Sequence, residues 1–118
     1  MSDFTIDVQR DPHLYFRIDS FVVPDAVREE FEATMRRNMD FIRTVDGFRG
    51  HVVFEKRAGD SSFIIVTIAS WESRDALERA GQAVRTYYQQ IGFDMPGALK
   101  RWGVELVRAD YEAPAELQ

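Results

Sequence analysis

FIIVTIASWESRDAL (Phe63–Leu77) runs out of an apolar stretch, meets a lone tryptophan and then turns charged. Alternate residues of a strand point to opposite faces, and here both sets are apolar: Phe63, Ile65, Ala69 and Trp71 on one, Ile64, Val66 and Ile68 on the other. A strand that is apolar on both faces is covered on both, which places it near the middle of a sheet. Past Trp71, Ser73 is suited to cap a helix and Asp75 to occupy its first turn. Leu77, Ala80, Val84, Tyr88 and Ile91 then recur at helical spacing, predicting a helix to about Gly92. Trp71 stands where strand becomes helix.

Upstream, HLYFRIDSFVV (His13–Val23) alternates, with Leu14, Phe16 and Ile18 on one face and Tyr15, Arg17, Asp19 and Phe21 on the other. This predicts a first strand. Pro24 and Asp25 open a helix whose inward stripe is Val27, Phe31, Met35, Met39 and Ile42. VDGF (Val45–Phe48) breaks the helical period, FRGHVVFEKR follows as a second strand, and AGDSS (Ala58–Ser62) makes the turn of a hairpin into the third. Downstream, GFDMPGALKRWG holds breakers at Gly92, Pro96 and Gly97 and room for one helical turn before WGVELVRA forms a last strand.

The order β-α-β-β-α-β predicts an α+β, ferredoxin-like fold, a four-stranded antiparallel sheet with two helices on one face. One domain is expected over residues 1–118, with a core of about 13–109, a flexible N-terminal arm 1–12 and a flexible C-terminal tail 112–118. Helices on one side leave the other face of the third strand bare, and a second copy of the sheet is the simplest cover, so a homodimer is expected.

Composition narrows the partners. With 45% hydrophobic and 30% charged residues the chain has the balance of a soluble globular protein. Asp3, Asp7 and Asp11 stand where a secretory signal would be basic, and no apolar run approaches the ~20 residues of a membrane span. No membrane association is expected. No cysteine is present, which removes disulfides, thiolate metal sites and thiol nucleophiles and fits a cytoplasmic location. Two histidines are too few for most catalytic metal sites, so no metal and no cofactor are expected. A net charge of −5 argues against nucleic acid as a partner.

Three segments carry a resemblance: FVVPDAVREEF (Phe21–Phe31), VDGFRGHVVFE (Val45–Glu55) and IASWESRDAL (Ile68–Leu77). In that order on this topology the chain resembles the antibiotic biosynthesis monooxygenase family of dimeric α+β barrels, over roughly Leu14 to Ile91. The resemblance implies a cofactor-independent oxidation of a phenol, anthrone or quinol by O₂, in a cavity where the tryptophan ending the third strand points between sheet and helices. Trp71 answers to that position. The heme-degrading branch of the same superfamily carries an Asn on its first strand and a His about ten residues beyond the Trp. This chain has neither, so heme degradation is not expected.

Under that resemblance the expected catalytic residues are Trp71, His51 and Asn38, and the expected substrate-binding residues are Trp71, Tyr88 and Arg85. Each has a plainer alternative. A tryptophan can fill a core or wall a pocket while aiming its N–H at a ligand oxygen. His51 titrates near neutrality and is a candidate base, yet its strand face also carries Arg49 and Glu55 and suits a solvated or interface position. Asn38 is a poor helix former beside Met35 and Met39 and either enters the cavity or lies on the helix flank. Tyr88 shares the apolar stripe of its helix and suits the core, and Arg85 suits the surface. An RNA-binding domain shares the element order, but GFRGHVVF (Gly47–Phe54) puts its aromatic signature on the second strand instead of the third. A dimer that binds a small aromatic or apolar ligand without turning it over remains the competing account.

Overall fold

The structure, a computed structural model, describes residues 5–118; the first four residues of the expected arm lie outside this range. The chain forms β1 (Tyr15–Pro24), a 3-10 turn (Asp25–Val27), α1 (Arg28–Ile42), β2 (Phe48–Arg57), β3 (Ser62–Trp71), α2 (Arg74–Ile91), α3 (Met95–Trp102), β4 (Glu105–Glu112) and a second 3-10 turn (Ala115–Leu117). The strands lie in the order β2-β3-β1-β4 with antiparallel neighbours throughout. This is the ferredoxin-like plan, and β3 is an inner strand, as its doubly apolar pattern requires.

The segment before β4 differs from expectation by being a full helix, α3, where a single turn was predicted. Pro96 lies in its first turn, where a missing N–H costs nothing, and Gly103 caps its end at φ 71°. The breaker residues therefore bound a helix instead of preventing one. The opening of α1 differs too: Pro24 leads into the 3-10 turn, and the α-helix begins at Arg28.

Odd-numbered residues of β1 and β3 face the helices. At one end, Phe21, Val23, Phe63 and Ile65 pack with Phe31 of α1 and with Ala98 and Trp102 of α3. Phe31 meets Phe21 and Trp102 edge to face, at ring distances of 5.2 and 5.9 Å. At the other end a smaller cluster gathers Trp71, Leu77 and Ala80 with Ile42, Val45 and Phe48. The Trp71 junction is held from both sides. Ser73 Oγ accepts the Ala76 N–H at 3.1 Å, and the Glu72 N–H donates to Gly47 O at 2.8 Å. Gly47 has φ +88°, and a Cβ there would stand 2.6 Å from the Ala76 Cβ, so the α1–β2 loop can approach the start of α2 only through glycine.

The face of the sheet away from the helices is covered at one corner, where Val8 and Leu14 pack on Phe16 with Ile68 and Ala113 against them. Elsewhere it is open, with Phe54, Val107 and Tyr111 at least half exposed. Among the described residues no helix is long and apolar enough to cross a membrane.

Candidate active site

Between the two helix-side clusters the sheet and helices stand apart around a cavity of about 790 Å³, within the range of small-molecule sites. Much of its lining is apolar, from Met35, Met39 and Ile42 of α1, Leu77 and Val84 of α2 and Leu106 of β4. All five residues singled out in the sequence line this one cavity.

Trp71, the last residue of β3, is 4% exposed and meets Phe48 edge to face at 5.4 Å. Its indole N–H is buried and has no hydrogen-bond partner among the described residues. Asn38 is buried on the inner side of α1. Its carbonyl accepts from Arg37 Nε and Nη2 at 3.2 and 2.9 Å, while its amide nitrogen has no partner among the described residues. Of its two expected placements the structure shows the cavity, not the flank. His51, on β2, is half-buried with Nδ1 unpartnered among the described residues. It lines the cavity because a bulge between Phe48 and Gly50 sets it opposite Ala69 on the helix-facing side. Burial, helped by the nearby Arg43 charge, lowers its pKa from the ordinary 6.5, so at neutral pH it is an uncharged imidazole able to accept a proton.

Tyr88 reaches the cavity from α2, its ring edge to face with Phe93 at 5.0 Å. Burial raises its pKa, so its phenol stays a neutral donor at physiological pH. Arg85, one helical turn earlier, is exposed where the cavity opens and makes no ion pair among the described residues.

Three charged lining residues on the sheet escaped the sequence reading as site residues, as did Glu32, Arg36 and Arg43 on the α1 side. Asp19 on β1 is 7% exposed and is joined to Arg108 on β4 by two hydrogen bonds of 2.9 and 3.0 Å. Arg17, two residues from Asp19, is joined to Asp110 in the same way at 2.8 and 3.1 Å. A signal existed, because an aspartate sharing a strand face with Phe21 must be paired if that face is covered. Its partner lay on β4, whose register against β1 the pattern of β4 does not reveal.

Among the described residues no three His, Cys, Asp or Glu side chains converge as metal ligands would. The polar equipment of the cavity includes a neutral imidazole, unpartnered indole and amide N–H groups, a phenol and an arginine–carboxylate pair whose carboxylate is buried. Such a set can accept one proton and donate hydrogen bonds to oxygen atoms of a planar ligand.

Comparison with known proteins agrees with this architecture. The family model described as "Antibiotic biosynthesis monooxygenase" matches residues 15–86. Among solved structures the chain is similar to SnoaB, a cofactor-independent oxygenase from Streptomyces nogalater. Two structures of SnoaB, one of a mutant, match at 28% identity over 86% of this chain and 93% of that one, with TM-scores of 0.61 and 0.59. A dimeric ferredoxin-like protein from an uncultured marine organism shares the fold at 10% identity, over 85% of this chain and 95% of that one, with a TM-score of 0.61. No curated protein sequence matches. The family match spans most of the chain, from the start of β1 into α2, and the chain belongs to the antibiotic biosynthesis monooxygenase family.

Proposed function

We propose that the protein is a cofactor-independent monooxygenase that oxidises a small aromatic of the phenol, anthrone or quinol type with O₂. The observation that carries this reading is the cavity beside Trp71, where unpartnered N–H donors and an uncharged His51 face a largely apolar space. For an anthrone the chemistry balances without a redox cofactor. A base removes one proton from the ring CH₂, and the delocalised anion passes electrons to O₂ and closes a C–O bond to give a peroxide. Once protonated, the peroxide loses water with the remaining C–H hydrogen and leaves a carbonyl. In this scheme His51 accepts the first proton, the Trp71 and Asn38 N–H groups hold the substrate oxygens, Tyr88 supplies a neutral hydroxyl, and Arg85 borders the opening. Similarity to SnoaB, itself a cofactor-independent oxygenase, supports the same reading.

The working unit in this proposal is a homodimer. Phe54 (55% exposed), Val107 (71%) and Tyr111 (50%) lie on the uncovered sheet face, an apolar surface of the kind that a second copy buries. Location in the cytoplasm and a lack of nucleic-acid partners belong to the same proposal.

The test is oxygen uptake by chelator-dialysed protein offered a small panel of anthrones and hydroquinones. Protein-dependent uptake of one O₂ per quinone formed is expected. If every member of the panel binds and none is oxidised faster than in buffer, the non-catalytic ligand-binding dimer becomes the better account.

A further inference from the structure

The cavity wall formed by β1 and β4 carries a two-rung ladder of opposite charges. Asp19 stands directly across from Arg108, and Arg17 across from Asp110. The rungs differ in which partner is hidden. In the second, the two side chains are equally open to solvent, at 30% and 31% exposed. In the first, the Asp19 side chain is 10% exposed and Arg108 41%, and both line the cavity. A buried carboxylate is costly unless paired, and Arg108 supplies the pair through Nε and Nη2.

That arrangement uses only one edge of the guanidinium. The other edge, formed by Nη1 and the second N–H of Nη2, has no hydrogen-bond acceptor among the described residues. A guanidinium is a rigid planar fork, so an edge fixed by a carboxylate on one side presents its remaining donors in a set direction to a second acceptor. Burial is the strongest single influence on the Arg108 charge and works against it, but the hydrogen bonds and charge of Asp19, with Tyr88 and Asp110, together more than offset it, so the side chain stays cationic. The Tyr88 phenol lies within reach of that charge. Arg36, Arg43 and Arg85 are cations of the same cavity and are exposed, as Arg108 itself is in part, but among the described residues none of the three is held by a buried carboxylate: Arg43 makes a single hydrogen bond to the exposed Asp40, whereas Arg108 is fixed through two to the buried Asp19.

We propose that Arg108, clamped by Asp19, is the residue that receives the ionised oxygen of the substrate, a phenolate or enolate, on its free edge. The proposal rests on the oxygenase reading for its role in turnover, since stabilising the oxyanion favours the carbanion form that reduces O₂. As a binding statement it stands apart from turnover. Asp19 is then a positioning residue, and the chemical class selected is an aromatic with an ionisable hydroxyl and, beside it, a second oxygen that the fork can also reach.

The experiment is a spectrophotometric titration of a bound dihydroxyanthraquinone, whose colour reports ionisation and which needs no turnover. In an apolar cavity with no cation nearby, burial would raise the pKa of the bound phenol above its value in water. The wild type is expected to bind the probe with its pKa below the free value. In Arg108→Gln, and in Asp19→Asn combined with Arg108→Gln, the bound pKa should rise by about one unit or more, a tenfold change in ionised fraction. The double variant leaves no buried charge unpaired and serves where the single one fails to fold. The dimethyl ether of the probe should bind all three proteins within about twofold, because it forms no anion for the cation to stabilise. A wild-type bound pKa above the free value, or one that both variants share, would overturn the proposal. Loss of ether binding in parallel with phenol binding would do the same, by showing that Arg108 supports only shape. A lowered pKa without oxygen uptake would instead remove the oxygenase reading and leave the anion site standing.

Discussion

The two tryptophans have much in common. Trp71 and Trp102 are each 4% exposed, each ends a regular element, each meets a phenylalanine edge to face, and each buries an indole N–H with no partner among the described residues. What separates them is the space alongside. Trp102 packs into the cluster of Phe21, Phe31 and Phe63 and takes no part in the cavity wall, whereas Trp71 forms part of that wall. Burial alone therefore does not tell a core residue from a site residue; the void beside it does.

The contrast predicts different costs at the two ends. Phe63, fully buried in the packed cluster and away from the cavity, should lose about 3–5 kcal/mol of stability on change to Ala, with KM for any oxidised aromatic unmoved. Denaturant unfolding checks the first part and steady-state kinetics the second. A cost below about 1 kcal/mol would mean that this end is packed no better than the cavity end.

At the cavity end the expected effects fall on rate. His51→Asn should lower turnover by about 100-fold with little change in unfolding midpoint. In the wild type the acid limb of the pH–rate profile should lie below 6.5, because burial and Arg43 disfavour the imidazolium, and the variant should lose that limb. The same depressed pKa fixes the sign for stability. The unfolded chain binds the proton more readily than the native one, so the His51 contribution is present above 6.5 and is lost as pH falls through the native value. A limb unchanged in the variant would assign the proton to another group.

The two faces of the sheet sharpen the comparison further. Replacing Phe54 by Glu and Val107 by Lys, both on the open face, should turn a dimer of twice the 13.7 kDa chain into a monomer in sedimentation, while monomer stability changes by less than about 1 kcal/mol. A wild type that sediments as a monomer at high concentration would remove the expected partner.

Much of this was legible in the residues because it depends on periodicity. The doubly apolar run Phe63–Trp71 placed β3 inside the sheet, and Ser73 with the Leu77–Tyr88 stripe placed α2. Trp71, His51, Asn38, Tyr88 and Arg85 were legible as candidates through the family resemblance together with residue type and position, and the structure gathers them at one cavity. What stayed hidden depends on pairing across distant strands. Asp19 and Arg108 are 89 residues apart and meet only through the β1–β4 register. The helix Met95–Trp102 was hidden because Pro96 and Gly103 serve equally as breakers and as helix ends, and packing of Ala98 and Trp102 decides between them.

The most direct test sets Trp71→Phe beside Trp102→Phe, measuring unfolding midpoint and protein-dependent oxygen uptake with the same anthrone for each. Trp71→Phe should cost less than about 1 kcal/mol of stability and at least tenfold in turnover, since it removes a hydrogen-bond donor from the cavity. Trp102→Phe should cost about 1–2 kcal/mol and leave turnover within about twofold. Equal losses of turnover in the two variants, or a Trp71→Phe protein as active as the wild type, would contradict the account.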